Sequence, residues 1–281
     1  MKKFYLTALF FLFAVVATAQ KTKEVYVFHT NDMHSRIEAF PQDYQDTLLA
    51  GKGGLVRRAT FIKEQRRMHP DLLLFDSGDF SQGTPYYNLF KGEVEVKLMN
   101  EMGYDAGTIG NHEFDFGLEN MARLFKLANF PIVCANYDVT GTVLEGLVKE
   151  YVILNREGLK IGVFGLGPQL EGLVAAECYG DVKFEDPVSE AQRVAAFLKE
   201  KEHCDLVICL SHLGWKDDPY SDISLIENTR YIDLVLGGHS HSYFEKPEFY
   251  ENLDGERIPL QQMGKNAAFV GKVVLKLEKE K

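Results

Sequence analysis

Basic side chains are in short supply: 31 lysines and arginines stand against 41 aspartates and glutamates, a net charge of −10 over 281 residues. An acidic chain has no broad footprint for nucleic-acid polymers, so any attraction for a phosphate must be local, and bound metal ions are an obvious source. Cysteine is scarce too. Cys134, Cys178, Cys204 and Cys209 show no CxxC or other metal spacing and no insistent disulfide framework, and Cys134 and Cys209 lie in apolar, strand-like runs. Unpaired thiols are expected. Internal repeats, low-complexity segments and Pro- or Ser-rich linkers are absent. After the first residues no apolar run approaches the roughly 20 residues that a spanning helix needs.

Those first residues read as an export signal. Lys2 and Lys3 supply the charge, Phe4 to Val16 the apolar core, and Ala17, Thr18 and Ala19 a small-residue cleavage site. The core is short for a membrane anchor, and no cysteine follows that would take a lipid. Residues 1–19 are therefore expected to be removed, and the mature chain from Gln20 to be periplasmic or secreted, without a membrane span. Residues 20–281 suffice for one large domain with a well-buried core.

Five short apolar runs each end in a polar burst. Val25 to Phe28 leads into Asp32 and His34, Leu72 to Phe75 into Asp76 and Asp79, and Ala106 to Ile109 into Gly110, Asn111, His112 and Glu113; Leu206 to Leu210 leads into His212, and Leu234 to Leu236 into His239 and His241. Runs of this kind are buried strands of an α/β fold, and residues just past their carboxyl ends share one sheet edge, where ligands bind. Five of the eight histidines fall at such ends. Scattered surface histidines would not sort this way.

Each burst has a plainer alternative: Asp32 and His34 fit an Asx turn with a surface histidine, and Asp76 a local cap. Together they offer imidazole, carboxylate and amide donors suited to Zn, Mn, Fe or Co. His112 and Asp115, three apart, share one face if the segment is helical, and the carboxylate would then orient the imidazole and favour its protonated form. Glu113 is assigned a structural role. Helices are expected over Leu55 to Met68, Val94 to Met102, Gly117 to Ala128 and Pro187 to Glu202. The alternating tail from Glu248 to Leu277 is expected to complete a second sheet.

In order, Asp32 with His34, Gly78 with Asp79, Gly110 to Glu113, Ser211 with His212, and Gly238 to His241 resemble the blocks of the calcineurin-like metallophosphoesterases. The segments His29 to His34, Gly53 to Ala59, Asn111 to Gly117 and Gly237 to His241 are similar to the catalytic domain of secreted bacterial 5′-nucleotidases and UDP-sugar hydrolases. The resemblance implies a four-layer αββα sandwich with two mixed sheets. It also implies two divalent metal ions: Asp32, His34 and His241 on one, Asn111, His212 and His239 on the other, and Asp79 bridging them. His112 with Asp115 would be the catalytic dyad.

Two metals roughly 3.5–4 Å apart can bind the shielding oxygens of a phosphate ester and lower the pKa of a shared water toward ~7. The expected substrate is a small phosphorylated molecule, a nucleotide monoester. The alternatives are a phosphodiesterase acting on 2′,3′-cyclic nucleotides or nucleotide sugars, and a non-catalytic metal-binding or scaffold protein. The resemblance further implies a carboxyl-terminal substrate-binding domain that these residues stop short of, so either a broader substrate choice or a separate chain supplying that domain is expected.

Overall fold

Val25, Val27, Leu73 and Phe75 alternate with residues pointing to the opposite face, and the chain around them folds into two stacked sheets. The computed structural model describes residues 23–216 and 219–277; the expected export signal, residues 1–19, lies outside the described residues. The chain runs β1 (Lys23–Thr30), α1 (Leu55–Met68), β2 (Leu73–Asp76), α2 (Pro85–Phe90), α3 (Glu93–Met102), β3 (Ala106–Gly107), a 3₁₀ turn (His112–Phe114), α4 (Gly117–Leu127) and β4 (Ile132–Val133). It continues through β5 (Tyr137–Asp138), β6 (Val148–Lys149), β7 (Tyr151–Arg156), β8 (Leu159–Leu166), α5 (Ala176–Tyr179), β9 (Lys183–Phe184) and α6 (Pro187–Glu200). The last elements are β10 (Leu206–Ser211), α7 (Asp222–Glu227), β11 (Leu234–Leu236), β12 (Glu248–Glu251), β13 (Arg257–Gln261) and β14 (Gly271–Leu277).

One sheet has the order β14-β1-β2-β3-β4-β6 and the other β12-β13-β11-β10-β8-β7, while β5 and β9 form a small pair of their own. Both large sheets are mixed. β1 to β4 run parallel in the first, and β8, β10, β11 and β13 run parallel in the second. Strand β10 shows how the layers arise. Leu206, Ile208 and Leu210 share one buried cluster with Val27, Leu73 and Phe75 of the first sheet, whereas Val207 and Cys209 pack with Val194 and Leu198 of α6. With side-chain period 2, one strand therefore serves both the inter-sheet core and the outer helical layer. The first sheet does the same against α1, α3 and α4, which completes a four-layer αββα sandwich.

The helices follow local rules. α1 buries Leu55, Arg58 and Ile62, spaced along one face. α6 starts with Pro187 behind Asp186, whose side chain accepts from the Ser189 N–H at 2.8 Å, and it buries Ala191, Val194, Ala195 and Leu198. All four cysteines are free. Among the described residues no helix is long and apolar enough to cross a membrane.

Three sequence expectations need correction. The tail does not stay in the second sheet: β12 and β13 do, but β14 pairs antiparallel with β1 at the edge of the first. Alternation defines a half-buried strand without naming its partner. Between Thr140 and Phe164, where short runs broken by Gly141, Gly146, Gly158 and Gly162 suit antiparallel strands of a second sheet, β7 and β8 do pair antiparallel there, but β6 runs parallel to β4 in the first sheet. The stretch with Gln82, Gly83, Thr84, Tyr86 and Tyr87, whose sequence reads as a loop, runs into α2, opened by Pro85 at its first turn.

The register of β14 places Gly271 opposite His29, and a Cβ at Gly271 would collide with the His29 ring, so glycine is required by close approach. His29 is fully enclosed, 3.4 Å from Gln261, and burial pushes its imidazole down to about 4 despite that contact. An imidazole that must stay neutral in the fold contributes full stability above its ordinary value of 6.5. As the pH falls toward 4 the unfolded chain takes up a proton that the folded chain refuses. Urea titrations from pH 7 to 4 should show a loss of about 3 kcal/mol from this residue, and His29→Gln should remove that component. Equal pH slopes in the two proteins would contradict the assignment.

Candidate metal centre

The parallel strands of both sheets point their carboxyl ends at one edge, and the loops there are held in unusual backbone. Asp32 (φ 47°), His34 (φ 46°), Asp79 (φ 54°), His239 (φ 68°) and His241 (φ 55°) are all left-handed. Non-glycine residues in sparsely populated backbone regions cost on the order of 1–3 kcal/mol and persist only where the surroundings over-determine them. Here the β1–β2 ladder continues into the loops: the N–H groups of Asp32, His34 and Ser35 donate to the carbonyls of Gly78, Asp79 and Phe80, each at 3.0 Å. Asp76, read as a local cap, closes the turn by accepting from Gly78 N–H at 3.1 Å and from the Thr30 hydroxyl at 2.6 Å.

All seven residues singled out as metal donors come to this edge. Asp32 Oδ1 lies 3.4 Å from His241 Nε2 and 3.8 Å from His34 Nε2, and those two nitrogens are 3.0 Å apart. Asp79 Oδ2 lies 3.1 Å from His212 Nε2. Three groups could each hold an ion, with donor atoms within 4.8 Å of one another: Asp32, His34 and His241; Asp79, His212 and His239; and His34, Asp79 and His112. Asn111 is buried beside them, and its Oδ1 has no hydrogen-bond partner. His112 and Asp115 meet as expected, Nδ1 to Oδ2 at 3.0 Å, across a 3₁₀ turn rather than an α-helix.

The donor chemistry fits divalent cations. Asp32 and Asp79 are buried, and among the described residues neither pairs with a lysine or arginine. Uncompensated buried carboxylates are expensive, so positive charge must come from elsewhere. Burial by itself would raise the Asp79 carboxyl, but the charge and hydrogen bond of His212 hold it well below the usual carboxylate range. Burial pulls His212 down, yet the charge and hydrogen bond of Asp79, with the charge of Asp32, lift it to about 10. His212 Nδ1 is 2.6 Å from the Ser77 carbonyl and donates to it, which turns Nε2 toward Asp79. Burial lowers His34, and burial with the His212 charge lowers His239 to about 4. Both therefore keep lone pairs for an ion.

Glu113 holds the first-sheet loops together. Its carboxylate accepts from the N–H groups of Asp79 at 2.9 Å, Ser81 at 3.2 Å and Gly110 at 2.7 Å, while the Asp79 carboxylate accepts from His112 N–H at 2.9 Å. Burial and the Asp79 charge push its carboxyl up to about 7, opposed by His212 and these donors. A Cβ at Gly110 would strike the Asp79 carboxylate, so the tight approach needs glycine there.

Sequence reasoning did not single out the equivalent residues of the second sheet. Asp222 is buried and accepts from the Ser211 hydroxyl at 2.5 Å, and its N–H donates to the Gly214 carbonyl at 2.7 Å, bracing the loop of His212. Gln262 donates to the Gly238 carbonyl at 2.8 Å beside His239. In the first sheet, Asn31 just past β1 likewise donates to the Asp32 carboxylate at 2.6 Å. Asn31 adjoins a proposed donor in sequence and was within reach of the reading; Asp222 and Gln262 carry no local signal. Trp215, whose sequence position allows it either to line a site mouth or simply to pack, packs: its Nε1 donates to the Tyr250 hydroxyl at 2.8 Å and its ring meets Phe244.

A four-layer sandwich whose two sheets pool imidazole, carboxylate and amide donors at one edge has the architecture of a metallophosphoesterase domain. The chain belongs to the calcineurin-like phosphoesterase family, whose sequence model matches residues 25–243. It is 33% identical over 273 residues to a snake venom 5′-nucleotidase of Gloydius brevicauda, covering 89% of this chain and 44% of that protein. It is 32% identical over 265 residues to a 2′,3′-cyclic-nucleotide 2′-phosphodiesterase/3′-nucleotidase of Haemophilus influenzae, covering 86% of this chain and 40% of that one. The crystal structure of a 5′-nucleotidase precursor from Thermus thermophilus superposes with a TM-score of 0.81 at 28% identity, covering 90% of this chain and 51% of that one. The chain thus spans about half the length, or less, of the proteins it matches.

Glu113→Ala would leave three backbone N–H groups without their acceptor, at about 1–3 kcal/mol each where buried. Calorimetry should show a lower Tm, and Mn²⁺ titration an affinity weakened by about 10–100-fold, the usual effect of losing an outer-shell support. Glu113→Gln should fall between. Unchanged Tm and affinity would show that the carboxylate does not hold the loops.

Proposed function

We propose that residues 20–281 form the catalytic domain of an exported phosphohydrolase that uses two divalent metal ions, drawn from Zn, Mn, Fe or Co, to hydrolyse nucleotide phosphomonoesters. One observation carries the reading. Asp79 belongs to two candidate ion-holding groups, one with His34 and His112 and one with His212 and His239, and Asp115 meets His112 alongside. Asp32, His34 and His241 would hold one ion, Asn111, His212 and His239 the other, and Asp79 both. When bound, the ions supply positive charge that draws in the phosphate oxygens and makes water more acidic.

The chain's own residues then divide the remaining work. Asp115 occupies Nδ1 of His112, so Nε2 is the position from which His112 can meet a substrate. Burial opposes protonation of that imidazole, but the Asp115 hydrogen bond and the Asp79 charge outweigh it and raise its pKa. His112 is therefore suited to hold a proton and deliver it to the departing ester oxygen, with Asp115 as its positioning residue. A purely structural metal site has no use for this dyad, which argues against the scaffold alternative.

The second reading is a phosphodiesterase acting on 2′,3′-cyclic nucleotides or nucleotide sugars, favoured by the name of the Haemophilus influenzae relative. The same donor set suits either ester class. Phosphate release from AMP, UDP-glucose, 2′,3′-cyclic AMP and ethyl phosphate, measured after chelator treatment and single-metal restoration, separates the two. We expect chelation to abolish turnover, restoration to favour AMP, and His112→Ala to lower kcat by about 10²–10⁴-fold with the metal content unchanged. Full turnover in that variant would remove His112 from the mechanism, and a preference for diesters would promote the second reading.

A further inference from the structure

Helix α2 is held by hydrogen bonds rather than by apolar burial. Of its six residues only Tyr87 is buried, while Leu89 and Phe90 are 75% and 48% exposed. A helix this short is marginal on its own. Its front is fastened to the loop of His34. Thr84 is the N-cap residue, yet its hydroxyl does not cap the helix: it donates to the Ser35 carbonyl at 2.8 Å. Gly83 (φ 116°) passes so close to His34 that a Cβ there would stand 3.0 Å from the His34 carbonyl oxygen. The back of α2 is fastened to α4, where Asn120 donates to the Lys91 carbonyl at 3.0 Å and Arg123 to the carbonyls of Phe90 and Lys91 at 3.4 and 3.3 Å.

The middle of the helix meets the dyad. Tyr87 donates its hydroxyl to the His112 carbonyl at 3.2 Å, the same carbonyl that accepts from the Asp115 N–H at 3.3 Å across the 3₁₀ turn. Burial, with the charges of Asp115 and Glu113, pushes the Tyr87 phenol well up, so it remains a donor. Through Thr84 and Tyr87, α2 therefore grips the backbone behind two histidines that face one another. The His34 and His112 rings meet edge to face with centroids 5.4 Å apart, and with Asp79 they bring donor atoms within 4.8 Å of one another. Asp115 fixes only the Nδ1 side of an imidazole that is 30% exposed, so the position of the turn itself has to set where Nε2 points.

We propose that Thr84 and Tyr87 are positioning residues for the dyad: α2 straps the loop of His34 to the turn of His112 and so sets the distance from the metal donors to the imidazole that meets the departing oxygen. This rests on the phosphohydrolase reading and on the proton delivery given there to His112. Neither residue is among the metal donors, and the hydroxyl of each is taken up by a backbone carbonyl. What they control is how accurately Nε2 stands behind the departing oxygen, where a displacement of about 1 Å can cost roughly 10²-fold. That accuracy matters only where a proton must be delivered from Nε2 to the oxygen as its bond to phosphorus breaks. Ethyl phosphate releases a strongly basic alkoxide that needs the proton, and 4-nitrophenyl phosphate a stabilised phenoxide that does not.

The readout is the ratio of kcat/KM for 4-nitrophenyl phosphate to that for ethyl phosphate in the Mn²⁺-loaded full chain. Metal occupancy cancels from it because both esters need the same ions. His112→Ala should raise the ratio and so set the scale. We expect Tyr87→Phe, which keeps the ring and loses the hydroxyl, to raise it about tenfold, as for one lost hydrogen bond, through kcat for ethyl phosphate and not through KM. Thr84→Val should raise it too, and Thr84→Ser, which keeps the hydroxyl, should not. In a His112→Ala background Tyr87→Phe should add less than about twofold, because a residue that acts through His112 has nothing left to position. An equal fall on both esters, or an undiminished effect without His112, would show that Tyr87 only packs and would overturn the proposal. Hydrogen exchange in the metal-free chain tests the strap without turnover: the Asp115 N–H should exchange about tenfold faster in Tyr87→Phe, and an unchanged rate would overturn it as well. Faster exchange in a chain whose wild type hydrolyses neither ester with any metal would instead overturn the phosphohydrolase reading and leave the tie from α2 to the turn standing.

Discussion

Two carboxylates kept out of water, with no lysine or arginine among the described residues against them, are the constraint on which the rest of the structure turns. Asp32 and Asp79 sit at the ends of adjacent parallel strands, on left-handed backbone, and face imidazoles contributed by both sheets. Their desolvation can be offset only by nearby positive charge. His212, whose own burial opposes protonation, is lifted to about 10 by that demand. Divalent cations would meet the same demand with stronger bonds and without strain on the imidazoles. Sheet stacking, loop pairing and glycine placement all serve to bring donors from chain positions 32 to 241 within a few ångströms of one another.

Holding that cluster takes two kinds of support. Within the first sheet, Glu113 fixes the loops after β2 and β3 through three backbone N–H groups. Between the sheets, Ser77 links both sides: its hydroxyl donates to the Leu236 carbonyl at 2.8 Å and its carbonyl accepts from His212. Because these contacts are buried and directional, a small displacement of either sheet would misplace donors on both. This explains why the polar supports lie deep in the fold and the dyad, which must meet a substrate, is only half-buried.

Much of this was legible in the sequence because the site lies at strand ends. Leu234 to Leu236 and the helix from Leu55 to Met68 emerged with the boundaries read from pattern, and Asp32, His34, Asp79, Asn111, His212, His239 and His241 converge at one edge. The misses share a physical cause. β14 alternates as a strand should, but pairing with β1 rather than β13 is settled by packing some 250 residues away in the chain. The third apolar run, Ala106 to Ile109, keeps only its first two residues in ladder geometry, because apolar composition marks burial and not where the pairing stops. Asp222 and Gln262 act only through folded neighbours, and no spacing could announce them.

The central claim is that Asp79 is shared by two ions. Anomalous diffraction from crystals of the chelator-treated chain restored with Mn²⁺ tests it directly. The account predicts two sites per chain, one against Asp32, His34 and His241, the other against Asn111, His212 and His239, with Asp79 touching both and at least one site lost in Asp79→Asn. A single site, or two sites that leave Asp79 free, would contradict it.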